Sequence, residues 1–151
     1  MTMQGTHWHF LPADRKLRYG SREVVEVGKT IRVECHPILY ESGLHASMRA
    51  IDALNYAPGP IICRVTLGGV IVEGDDKVAA QERRVVWMAD ATNTLHEFAC
   101  RCAEDALRAA NVDDRRSWDA IETKRRWLRG EATGDQLALS LIHISEPTRL
   151  R

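Results

Sequence analysis

The sequence has no excess of either charge: 21 Lys and Arg stand against 21 Asp and Glu in 151 residues, a formal net charge of +0. There is therefore no global basic field to hold nucleic acid or an acidic membrane, and nucleic acid is not an expected partner. No apolar stretch approaches the ~20 residues that span a bilayer. The segment Met1 to His9 shows no basic stretch followed by an apolar run and a small-residue cleavage site. The expectation is a soluble, cytoplasmic protein with no membrane partner. Cys35, Cys63, Cys100 and Cys102 form no CxxC pair, which removes the common zinc and redox signatures and leaves small core hydrophobes as their simplest role. His7, His9, Cys35, His36, His45 and Cys63 show no dense pair at structural-zinc spacing, so no metal site is expected. A Ser/His/Asp or Cys/His constellation with a nucleophile elbow is also missing.

What is present is a 44% hydrophobic chain, long enough for one domain with a real core. Alternation or apolar runs predict short strands at Trp8 to Leu11, Glu23 to Val27 and Thr30 to Glu34, with another extended piece at Pro37 to Tyr40. Ser47 is a candidate N-cap for a helix of about ten residues through Tyr56, which Pro58-Gly59-Pro60 stops. Ile61 to Leu67 and Val70 to Glu73 read as strands joined by a tight Gly68-Gly69 connection, and Gly74-Asp75-Asp76 as a turn. Lys77 to Glu82 reads as a polar connection before a strand at Arg83 to Met88.

From Asp90 the period becomes helical. Leu95, Phe98, Ala99, Cys102, Ala106 and Ala109 define an inward stripe. Ser117 is placed to cap a second helix, with Trp118, Ile121, the stem of Arg125 and Leu128 inward and Gly130 at its end. Thr133 to Gln136 has capping-box spacing for a third helix. The fold class expected is α+β: a small, mostly antiparallel sheet with one packed helix, followed by a C-terminal helical segment. Residues 1–130 are expected to form one domain, sheet-rich over 8–88 and helical over 92–130, and 131–138 the start of a truncated helix.

Three resemblances add to this reading. Gly43-Leu44-His45, Ala53-Leu54-Asn55-Tyr56 and Val65-Thr66-Leu67-Gly68 resemble the pattern of an uncharacterised domain family of phages and their bacterial hosts, across most of Trp8 to Gly130. That resemblance implies an accessory domain of phage or mobile-element origin acting through protein contacts, and names no activity. More remotely, the same segment is similar to the ADP-ribosyltransferase fold, which implies NAD as cofactor. On that resemblance Glu82 and His45 would be catalytic, and His9, Ser47 and Tyr56 would bind ligand; a degenerate descendant would keep the fold and lose the activity. Leu139 to Arg149 resembles the translation of a sequencing-library adapter, which implies that 139–151 is an artefactual tail.

The chemistry of such a site stands independently of the family. Cleaving nicotinamide from ribose passes through an oxocarbenium-like state, which a carboxylate stabilises while aromatic and hydroxyl-binding groups hold ring and ribose. A purely structural reading stands beside it, with Tyr56 as a core aromatic, His45 bridging backbone groups and Glu82 as a solvated loop charge.

Overall fold

The computed structural model describes residues 5–145. The chain divides into two compact units, Met1–Ala91 and Thr92–Arg151. The first carries β1 (His7–Leu11), β2 (Thr30–Arg32), β3 (Leu44–Ala46), α1 (Ala50–Leu54), β4 (Ile61–Glu73) and β5 (Val78–Asp90). All pairings in its five-stranded sheet are antiparallel, in the order β1-β4-β5-β2, with β3 pairing β5 beside β2. The α+β expectation holds.

Two long strands, β4 and β5, make the frame. Their register shifts between Arg64 and Val65 and between Gly68 and Ile71, and such bulges bend the strand and strengthen its twist. The sheet curls until its ends meet: Trp8 N–H donates to Ser47 O at 2.7 Å and Ser47 N–H returns a bond to Trp8 O at 2.8 Å. The concave side holds a core of Leu11, Val25, Ile31, Leu44, Ala46, Ile61, Cys63, Val65 and Val85.

Several local expectations change. Gly68-Gly69 is a bulge inside β4 rather than a hairpin connection; Gly69 has φ +69 and Val70 N–H donates to Gln81 Oε1. Period-two alternation cannot separate a bulge glycine pair from a turn, because both interrupt it for two residues. The true reversal is at Gly74 to Lys77, where Gly74 N–H bonds Lys77 O at 2.8 Å, so residues 78–82 are strand and not connection. Glu23 to Val27 is not a strand. Val24 pairs Lys16 in one isolated bridge, and Val25 alone of its valines is buried. Pro37 to Tyr40 is a turn closed by the Ile38–Ser42 bridge. Ser47 does not cap the helix, because the bridge to Trp8 holds its backbone extended; α1 starts at Ala50 behind Arg49 and is five residues long. Tyr56 falls beyond it, off any buried stripe.

The second unit contains α2 (Thr92–Ala109), α3 (Arg115–Leu128) and α4 (Gly134–Ser145). Asp114, not Ser117, caps α3 by accepting from Arg116 N–H. The inward stripe of α2 is rotated from the expected one: Cys100 is buried with Glu104 and Leu107 half-buried, whereas Phe98, Ala99, Cys102 and Ala106 are exposed. Its cause is Arg125 of α3, which reaches Glu97 Oε1 at 2.9 Å and Glu104 Oε1 at 2.5 Å, drawing two acids of α2 inward. Trp118 and Ile121 sit inward as expected, the Trp118 indole donating to Val112 O. The Thr133 capping box is formed, with Gln136 N–H donating to Thr133 Oγ1 and Thr133 N–H to Gln136 Oε1. The helix runs through Leu139 to Ser145, and the rest of the expected tail lies outside the described residues. Two cysteines, Cys35 and Cys102, are exposed rather than core groups.

Candidate functional site

Within the sheet unit lies a cavity of about 1190 Å³, wide enough for a small organic ligand. Its lining includes six Lys or Arg residues against two Glu, so a nearly neutral chain concentrates positive charge in one place. Four of the residues singled out from sequence line it: His9, His45, Ser47 and Tyr56. The curl of the sheet brings them together. His9 comes from β1, His45 from β3, Ser47 from the bridge that joins β3 to β1, and Tyr56 from the turn after α1.

Glu82 is not among the lining residues. Arg83 pairs with Ile31 and Leu67, while Glu82 pairs with Arg32 and Gly68. Neighbours on a strand point to opposite faces, so Glu82 faces away from the side that Arg83 shares with the core. Its carboxylate lies 3.4 Å from Arg32 Nη1. The half-buried sheet position and the pair with exposed Arg32 across the strands are ordinary surroundings for a structural acid.

Arg83 and Lys77 are the groups sequence reasoning missed. Arg83 is 4% exposed. Its Nη1–H donates to His45 O at 2.6 Å, and its buried Nε–H has no acceptor among the described residues. Among the described residues no acid is paired with it, and burial pulls the guanidinium down to about 10. A buried cation without a counter-charge is costly. The available signal was parity: Arg83 lies two residues before Val85 and so shares its face.

The two imidazoles stand beside that cation. Burial, then Arg83, His45 and Lys77, hold His9 well below the ordinary histidine range. His45 is lowered by burial first and then by Lys77, against a backbone hydrogen bond at Ile38, with Arg83 adding to the lowering. Its Nε2 accepts the Tyr40 N–H at 3.2 Å. Both rings are therefore neutral near pH 7.

At the mouth, Asp76 fastens two tyrosines. Its carboxylate accepts Tyr40 Oη–H at 2.7 Å and Tyr56 Oη–H at 2.6 Å, and the rings lie 6.2 Å apart. These hydrogen bonds depress the Asp76 carboxyl and raise both phenols. Lys77 Nζ rests 3.8 Å from the Tyr56 ring centroid, a cation–π contact. Tyr40 holds a left-handed backbone at φ +66, a conformation that costs a non-glycine residue energy and persists when its surroundings fix it. Here the His45 and Asp76 bonds do so. Among the described residues no three His, Cys, Asp or Glu side chains are grouped to hold a metal.

The class defined here is an α+β domain whose curled antiparallel sheet encloses a cationic cavity. A family model described as "Domain of unknown function (DUF7666)" matches residues 14–97, more than half of the chain, and the chain belongs to that family. The match takes in β2 to β5, and with them His45, Ser47, Tyr56, Lys77 and Arg83; His9 precedes it. No curated protein and no solved structure matches the chain.

Proposed function

We propose that this domain binds an anionic small molecule in the cavity of its sheet unit. One observation carries the reading: Arg83 is buried, charged and, among the described residues, without an acid partner, on the wall of a cavity that Lys77, His9 and His45 also line. A protein keeps such a charge at a cost in stability, and an incoming anion relieves that cost. Buried hydrogen-bonded charge pairs are also the contacts that hold small anions most strongly.

NAD is a second reading. It is favoured by the convergence of His9, His45, Ser47 and Tyr56 on one cavity, as the ADP-ribosyltransferase resemblance implies. Transfer chemistry needs a carboxylate near the ribose, and Glu82, the residue the resemblance offers for that role, lies on the other face of the strand, so the resemblance supports binding rather than transfer. Titration calorimetry of the full chain with sulfate, pyrophosphate and NAD tests both. Binding of the two inorganic anions, lost in Arg83→Met, is the expected outcome. Absence of heat and of thermal stabilisation with every anion would sink the proposal, and leave contacts with a protein partner in a phage or mobile element as the function to pursue.

A further inference from the structure

We propose that the anion taken by this cavity is a tetrahedral oxyanion, the terminal group of a phosphate or sulfate ester, and that it enters together with a proton that settles on His9 or His45. The inference rests on the anion-binding reading and specifies its ligand.

The shape follows from where the donors originate. Arg83 is on β5, Lys77 on the β4–β5 turn, His9 on β1 and His45 on β3, and all four line the same cavity. Arg83 bonds the His45 carbonyl directly, and both cations act on each imidazole across the cavity. Donors arriving from four separate segments match an anion with oxygens in several directions. A carboxylate presents two oxygens in one plane, and a single guanidinium fork satisfies it. Charge points the same way: Arg83 and Lys77 supply two positive charges, which a dianion neutralises and a carboxylate does not.

The proton follows from the histidines. In the free protein burial, Arg83 and Lys77 disfavour the charged form of both rings, as does the Tyr40 N–H that His45 Nε2 accepts, and they outweigh the backbone hydrogen bond at Ile38 that favours charge on His45. Glu23 and Glu41 are the carboxylates of the lining, neither of them a cause of either imidazole's shift, and Asp76 already accepts two tyrosine hydroxyls. Cys63 also faces Arg83 and is neutral, its thiol pushed up to about 11 by burial. A dianion placed among these groups reverses the balance, because an adjacent negative charge favours imidazolium. Between the free and bound proton affinities, the complex therefore holds one proton more than its separate components.

Sulfate is the clean probe, since it takes up no proton of its own in the working range. Calorimetry of the full chain with sulfate near pH 7, in two buffers of different ionisation enthalpy, is expected to give heats that differ by uptake of up to one proton. Affinity is expected to fall by up to about tenfold per pH unit as pH rises through that interval. Acetate is expected to bind at least about tenfold more weakly than sulfate or inorganic phosphate. His9→Asn and His45→Asn, made singly and together, are expected to reduce and then abolish the buffer dependence. Equal binding of acetate and sulfate overturns the tetrahedral assignment. Sulfate binding with buffer-independent heat and pH-independent affinity overturns the proton coupling. If no anion binds at any pH, the anion-binding reading itself falls, and this inference with it.

Discussion

Replacing Arg83 with methionine separates what this residue costs the fold from what it gives the site. A buried guanidinium pulled down to about 10 is disfavoured in its charged form by about 3 kcal/mol, at roughly 1.4 kcal/mol per pH unit. The sign is that of a base with a depressed folded-state value. The penalty is fully present at every pH well below about 10, and stability recovers only as pH rises through that value. Methionine keeps an unbranched stem of similar length in the apolar surroundings of Ile31, Leu67 and Val85 and brings no charge. It gives up the Nη1–H bond to His45 O, a charged hydrogen bond worth about 1.5–3 kcal/mol. The two effects nearly cancel, so Arg83→Met is expected to unfold in urea within about 2 kcal/mol of the parent, on either side. The same variant is expected to lose at least about tenfold in sulfate affinity, since a charged contact of that size has been removed. Urea titrations followed by tryptophan fluorescence, beside calorimetry, read the two quantities. A stability loss above about 3 kcal/mol, typical of breaking a compensated buried pair, would refute the idea that this charge is unneutralised and held for a ligand.

Two other outcomes follow from charges elsewhere. Hydrogen bonds from Arg125 hold Glu97 and Glu104 below the ordinary glutamate range, so the stability they add is present above about pH 4.3 and is lost as pH falls through their folded values. Circular dichroism is expected to show the helical unit weakening in acid, and Arg125→Met to be less stable at neutral pH with that acid sensitivity reduced; an unchanged acid response in the variant would contradict this. At the cavity mouth, Asp76→Asn removes the charged acceptor of both tyrosine hydroxyls. Ultraviolet titration is expected to move Tyr56 back down toward the ordinary phenol value of about 10, and no movement would mean that burial rather than Asp76 raises it.

Much of the secondary structure was open to reading along the chain. The antiparallel strands, the α+β class and the capping box at Thr133 depend on local pattern, and local pattern is what a linear sequence displays. Of the five residues expected at a site, His9, His45, Ser47 and Tyr56 line the cavity, while Arg83 and Lys77 drew no attention by type. Glu82 shows the limit. Its role depended on which face of a strand it occupied, and residues 77–82 were not recognisable as strand because Gln81, Glu82 and Lys77 are polar. The rotated stripe of α2 shows the same limit, since apolar spacing cannot anticipate that Arg125 draws Glu97 and Glu104 inward.

The sequence by itself determined the balance of charge and the lengths of the apolar runs, and that Gly43-Leu44-His45 leads from a turn into a strand. Tertiary structure alone decided what those residues meet. The bulges at Arg64/Val65 and Gly68/Ile71 accompany the curl of the sheet that bonds Trp8 to Ser47. That closure sets His9 and His45 on one cavity with Lys77 and with an arginine that has no acid partner among the described residues, although His9 and Arg83 are separated by most of the sheet unit in sequence. Parity along one strand hinted that Arg83 faces inward; only the pairing of four strands shows what it meets, the His45 carbonyl, with its Nε–H left without an acceptor among the described residues.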